Sequence, residues 1–237
     1  MKPRAIICDV YRTILHVLPR ATDTDDAEDG WSRLCLEALG QPPAFGFVEF
    51  LGACREEIKR VHGRAHQRGI TFPEVQWPRI VGQVLPSFAA LAEENQMQFQ
   101  LAEQSLRRQL SLMPEAAEAL KGWREQKILL GIASNAQAYT GPELGMALQP
   151  SGLALEIFAP DLTLWSWQLG LSKPDPYFFQ VLLSRLAARG IDPGEAIMVG
   201  DRADNDMIPA KALGMMTWHL QEDGDGGWEA LRQRIES

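Results

Sequence analysis

Apolar residues follow two different rhythms along the chain. Short runs rich in branched residues, RAIICDV at 4–10, KILLGIAS at 127–134 and EAIMVGD at 195–201, read as buried strands. DLTLWSW at 161–167 and MTWHL at 216–220 predict two more. Between these runs the spacing turns helical: from Pro114 to near Gln126, in the 140s, over PYFFQVLLSRLAAR at 176–189 with Gly190 as its stop, over 206–213, and at 227–235. Strand alternating with helix predicts a parallel sheet covered on both faces. The stretch between the first strand and Pro114 is different. It reads as helical at 31–40, at 47–69, where Phe47, Phe50, Leu51, Cys54, Ile58 and Val61 share one face, and at 87–110. ATDTDDAEDG at 21–30 reads as a solvated loop, and TFPEVQWPRI at 71–80 as a break made by two prolines. The predicted fold class is α/β. A Rossmann-like, doubly wound parallel sheet over 1–16 and 113–237 is interrupted by an all-helical cap at 17–112.

Composition narrows the partners. A chain of 237 residues has room for such a core and its insert. The net charge of −8 argues against nucleic acid and against an anionic membrane surface, both of which need a basic footprint. It leaves room for a small anionic substrate, because a local cation or metal overrules the global field. Cys8, Cys35 and Cys54 form no pattern and read as reduced thiols of a cytoplasmic protein. No signal-peptide pattern is present, and no run approaches the roughly 20 apolar residues that span a bilayer.

In open α/β sheets, ligands bind outside the carboxyl ends of the strands. The predicted strands end there on Asp9, on Ser134-Asn135 and on Gly200-Asp201, and LSKPDP supplies Lys173 just before a helix. An acid, a hydroxyl, an ammonium and a second acid thus meet on one rim. A carboxylate beside a bound cation can attack phosphorus or carbon to form an ester, with the lysine and backbone N–H groups holding the developing charge.

Four pieces in this order resemble the haloacid dehalogenase superfamily: Asp9-Val10-Tyr11-Arg12-Thr13 at the end of an apolar strand, Ser134 at the end of a second, Lys173-Pro174-Asp175-Pro176, and Gly200-Asp201 followed by Asp206. The resemblance covers about 1–16 and 113–220. It implies a C1-type cap and a hydrolase with Asp9 as nucleophile. Thr13, Ser134 with Asn135, and Lys173 would position the substrate. Magnesium would be held by Asp9, the main-chain carbonyl of Tyr11 and Asp201, with Asp206 nearby to orient water or Lys173. The resemblance is to enzymes that act on small molecules as monomers or homodimers.

Two positions depart from the family pattern. Tyr11 stands where the phosphatases of the family carry an acid/base aspartate, and where its L-2-haloacid dehalogenases carry tyrosine. A phenol with a pKa near 10 is a poor base at neutrality, and halide leaves without a proton. The fourth motif, by contrast, is the metal-binding version, and the tyrosine those dehalogenases place six residues after the lysine is Phe179 here, with Tyr177 near it. Arg12 stands where glycine is usual; it is either strained there or reaches the substrate. The sequence therefore supports three readings, in this order: a magnesium-dependent phosphatase acting through an Asp9 covalent intermediate, a metal-independent 2-haloacid dehalogenase, and a catalytically weak binding or regulatory protein. Tyr11 serves equally as catalytic or packing residue, His62 and His66 read as a solvated helix face, and Trp165 and Trp167 as packing residues.

Overall fold

The computed structural model describes residues 2–20, 24–221 and 224–236. The elements in chain order are β1 (Ala5–Cys8), β2 (Leu15–Pro19), α1 (Asp25–Leu39), α2 (Phe47–Gln67), α3 (Trp77–Val84), α4 (Pro86–Ala89), α5 (Glu93–Arg107), β3 (Arg108–Leu112), α6 (Pro114–Glu125), β4 (Leu129–Ser134), α7 (Thr140–Leu148), β5 (Thr163–Trp165), α8 (Ser166–Leu169), α9 (Pro176–Ala188), β6 (Ala196–Gly200), α10 (Ile208–Ala212), β7 (Met216–His219) and α11 (Trp228–Glu236). They form two compact units, one of Met1–His16, Ser111–Ala136 and Gly141–Ser237, the other of Val17–Leu110 and Gln137–Thr140.

The first unit holds a five-stranded sheet in the order β5-β4-β1-β6-β7, with every pairing parallel. β1 is central and all four of its residues are buried, which is why its sequence is a continuous apolar run rather than an alternating one. The chain builds outward from β1 through β4 to β5, then returns to the other side of β1 with β6. The carboxyl ends of β1 and β6 therefore flank the switch point where ligands bind in such sheets. One face is sealed by Phe178, Phe179, Leu182 and Leu186 of α9 against Ile7, Ala133, Leu164 and Met198.

The second unit is organised by aromatic residues. Trp31 stacks on Phe50 with ring centroids 4.5 Å apart, and Phe88 meets Phe99 edge-on at 5.2 Å. Cys35 and Cys54 lie in this core, their thiols pushed up to about 12 by burial, and Cys8 is raised similarly in β1, so all three are free structural thiols.

Four expectations for this stretch are corrected. Residues 25–30 are not loop: Thr24 caps α1, accepting from Ala27 N, and Asp25, Asp26 and Glu28 occupy its first turn, where negative charge opposes the helix dipole. Residues 21–23 lie outside the described residues. The prolines of 71–80 do not prevent a helix, because Pro78 falls in the first turn of α3, where its missing N–H costs nothing. The insert is not all helical, since β2 and β3, the segments by which the chain leaves and re-enters the first unit, pair as a two-stranded sheet. Finally, Gln137–Thr140 belongs with the helical unit: the Gln137 side chain accepts from Trp77 N at 2.7 Å and donates to Val75 O and Glu74.

Candidate active site

The rim of the sheet is assembled by ordinary backbone devices. Asp9 leaves β1 with its N–H on Val199 O at 2.9 Å, and the chain then turns so tightly that the Val10 carbonyl accepts from both Ile14 and Leu15. Trp228 of α11 pins this turn by donating to Thr13 O at 3.1 Å. On the other side, Asp175 caps α9 by accepting from Tyr177 N, with Pro176 in the first turn. Lys173 is thereby fixed three residues ahead of α9, and Asn135 clamps it: Lys173 N donates to Asn135 Oδ1 at 2.7 Å and Asn135 Nδ2 donates to Lys173 O at 2.9 Å.

The buried Lys173 ammonium makes three bonds, to Asp9 Oδ1 at 2.9 Å, Ala133 O at 2.6 Å and Asp206 Oδ1 at 2.5 Å. Burial works against its charge, but Asp9 and Asp206 together hold its pKa above the ordinary lysine value. Asp206 sits on a single π-helical turn, Ala203–Met207, and its second oxygen accepts from Arg202 N at 3.2 Å. A side chain at Gly200 would overlap this carboxylate, so the glycine that ends β6 is what lets Asp206 come in. Burial pushes Asp206 up, against the pull of Lys173. Asp201 is half-buried; burial and the Asp9 carboxylate raise it. Its carbonyl accepts from Gln221 Nε2 and lies 3.1 Å from His219 Nε2, which fixes the main chain and leaves the side chain to the rim.

Asp9, Asp201 and Asp206 present carboxylate oxygens all within 4.8 Å of one another. Three carboxylates face one ammonium, and the two uncompensated charges are those of one divalent cation. An all-oxygen donor set suits magnesium. Beside them, Thr13 Oγ1 and Ser134 Oγ are buried without a hydrogen-bond partner among the described residues. Two orphaned hydroxyls, one in the turn after β1 and one at the end of β4, have the polarity an oxyanion would satisfy.

The remaining candidates fall differently. Each end of the Asn135 amide makes one bond to the Lys173 backbone, so it positions the lysine, and its second Nδ2 hydrogen remains for the rim. The Tyr11 phenol donates to Glu143 Oε2. Glu143 escaped the sequence reading, although the signal was there: a lone acid in the otherwise apolar TGPELGMAL of α7, buried in the structure. Arg12 is exposed, with φ +60°. Tyr177 is 66% exposed, and Phe179, which has no hydroxyl, is in the sheet core.

A model of the haloacid dehalogenase-like hydrolases matches residues 3–214. The chain is 32% identical over 195 residues to the ribulose-1,5-bisphosphate 5-phosphatase of Halopiger xanaduensis, covering 80% of this chain and 75% of that one. Among solved structures it superposes on a haloacid dehalogenase phosphatase of Thermococcus onnurineus (TM-score 0.53, 22% identity, 99% and 98% of the two chains). It also superposes on the 2-haloacid dehalogenase of Pseudomonas syringae pv. Tomato DC3000 (TM-score 0.56, 22% identity, 100% and 97%). At that identity the two structures establish the fold. The chain is a haloacid dehalogenase-like hydrolase, an enzyme built on the Rossmann-like fold that its strand pattern predicts. Among the described residues, no helix is long and apolar enough to cross a membrane.

Proposed function

We propose that the protein is a magnesium-dependent phosphatase that acts on a small phosphorylated metabolite in the cytoplasm through a covalent Asp9 intermediate. The observation that carries this reading is the state of Asp9. One oxygen is held by Lys173, and the other has no hydrogen-bond partner among the described residues, beside Asp201 and two unsatisfied hydroxyls. The free oxygen attacks phosphorus, an O–P bond forms, and the P–O bond to the alcohol breaks, the departing oxygen taking from solvent a proton that the attacking water of the second displacement returns. Water then attacks the phosphorus of the aspartyl-phosphate, the Asp9–phosphorus link breaks, and the carboxylate is restored. Thr13, Ser134 and Lys173 hold the phosphoryl oxygens through both displacements. Asp9, Asp201 and the Tyr11 main-chain carbonyl would hold magnesium, which when bound offsets the repulsion between carboxylate and phosphate. Asp206, with both oxygens engaged, orients Lys173. The named activity of the Halopiger relative supports phosphoester chemistry.

Tyr11 favours a second reading, 2-haloacid dehalogenation. Against it stands the convergence of Asp201 and Asp206 on Asp9, an excess of negative charge that suits a divalent cation, which metal-independent halide release does not employ. The discriminating experiment is a panel of phosphate esters and 2-haloacids, each with magnesium and with chelator, on wild type and Asp9→Asn. Wild type should release phosphate only with magnesium, and Asp9→Asn should lose turnover while keeping its circular dichroism spectrum. Chelator-resistant halide release would install the dehalogenase reading. Asp9→Asn activity within tenfold of wild type, with deamidation excluded, would remove Asp9 as nucleophile.

A further inference from the structure

Among the described residues, two that are not glycine adopt the left-handed backbone, Arg12 and Lys127, each at φ +60°. The conformation is strained for any residue with a Cβ. For Lys127 the reason is local. It follows the end of α6, its N–H bonds Arg124 O at 2.9 Å, and Ile128 N bonds Trp123 O at 3.0 Å, the pattern that closes a helix with one left-handed residue. Arg12 closes no helix. It sits in the turn between Asp9 and Thr13, its N–H on Leu15 O at 2.7 Å, and glycine would serve that backbone without strain.

The Arg12 side chain therefore calls for an explanation of its own. It is exposed and, among the described residues, its guanidinium forms no hydrogen bond and no ion pair, in a chain with a net charge of −8. It stands three residues from Asp9, at most about 10 Å along the chain, and its charge is a small pull against the rise that burial and Asp9 give Asp201. Three carboxylates, those of Asp9, Asp201 and Asp206, converge here against the one ammonium of Lys173, and a second anionic group on a substrate would be repelled by the excess unless a cation received it. A guanidinium fork matches the oxygens of phosphate or carboxylate two at a time.

We infer that Arg12 is a specificity-determining residue that binds a second anionic group, phosphate or carboxylate, on the part of the substrate that leaves as the alcohol. The inference rests on the phosphatase reading and narrows it: the substrate class is a bisphosphate or a phosphorylated acid rather than the phosphate of a neutral alcohol. The strained turn is retained because the side chain, not the backbone, is used there.

Strain and use make opposite predictions for one substitution. Arg12→Gly should raise the melting temperature by about 2–4 °C, the shift expected when a strained residue is relieved in a chain of this size. It should also lower the preference in kcat/KM for a sugar bisphosphate over the matching monophosphate at least tenfold, mainly through KM. Arg12→Lys should keep part of that preference. Lys127→Gly is the control, with a similar rise in melting temperature and an unchanged preference. A parallel pair, 3-phosphoglycerate against glycerol 1-phosphate, tells carboxylate from phosphate as the second anion. An Arg12→Gly enzyme that melts higher and keeps the wild-type preference in both pairs overturns the inference and leaves the phosphatase reading intact. A wild type that hydrolyses none of the four esters removes that reading, and the inference with it.

Discussion

Both units bury acids, and Asp206 of the sheet unit and Glu103 of the helical unit are treated differently. In the sheet unit, Asp206 is paired with Lys173, which is shared with Asp9 and joined to the β4 carbonyl of Ala133. In the helical unit, Glu103 of α5 is fully buried and accepts from Gln104 Nε2 at 2.7 Å and Trp77 Nε1 at 3.3 Å, with Arg107 3.6 Å away. Burial raises the Glu103 pKa, Arg107 and the two hydrogen bonds pulling the other way. Glu103 Oε2 takes both neutral donors, while Oε1 has no hydrogen bond and lies 3.6 Å from Arg107, so its single charge is faced by cations of its own unit. The acids of the rim come from separate segments of the chain and leave charge in excess. A buried acid is therefore not a mark of chemistry in itself. The mark is convergence from distant segments together with charge and hydroxyls that the protein leaves unsatisfied.

This contrast can be broken by experiment. The largest effect belongs to the rim. Asp201→Ala should weaken magnesium binding by orders of magnitude in calorimetry and lower turnover with it, while the helical unit keeps its stability. Unchanged affinity would mean that the acid cluster is only structural.

A smaller effect belongs to Glu103. Its folded pKa lies above the unfolded value of about 4.3, so the folded state binds the extra proton between the two values. Stability is then full below the unfolded pKa and falls as pH rises through the raised folded one. Glu103→Gln keeps an acceptor for Trp77 and Gln104 and should flatten that fall, leaving the variant less sensitive to rising pH than wild type. Denaturant titrations at several pH values measure it, and a steeper fall in the variant would reverse the assignment. The smallest effect is local. β2 and β3 form an isolated two-stranded ribbon, marginal by itself, and their amides should exchange faster than those of β4. Equal protection would count against opening at these crossings.

How far the sequence went follows from the same contrast. β1, β4 and β6 are buried on both faces, so their continuous apolar runs were visible, and the acids and the hydroxyl at their ends were visible with them. What was hidden depended on partners far away in the chain. Residues 25–30 are polar enough to read as loop, and only the Thr24 cap and the dipole make them a helix start. β2 and β3 alternate weakly and find each other across the whole insert. Gln137 looks like a loop residue until Glu74, Val75 and Trp77 are seen to hold it. Asn135 was legible as a rim residue, but not as the clamp on Lys173, because a side-chain bond spanning 38 positions leaves no periodic trace.

The central claim is that Asp9 attacks phosphorus and that water then attacks the same phosphorus. A single turnover in H₂¹⁸O with enzyme in excess over a phosphate ester, followed by mass analysis of the Asp9 peptide and of the released phosphate, tests both displacements. The account predicts ¹⁸O in the phosphate, none in Asp9, and a phosphorylated Asp9 peptide when the reaction is quenched early in acid. Label in the Asp9 carboxylate would place the water's attack on carbon, as ester chemistry of a 2-haloacid requires. Labelled phosphate with no phosphorylated peptide at any quench time would contradict the covalent intermediate.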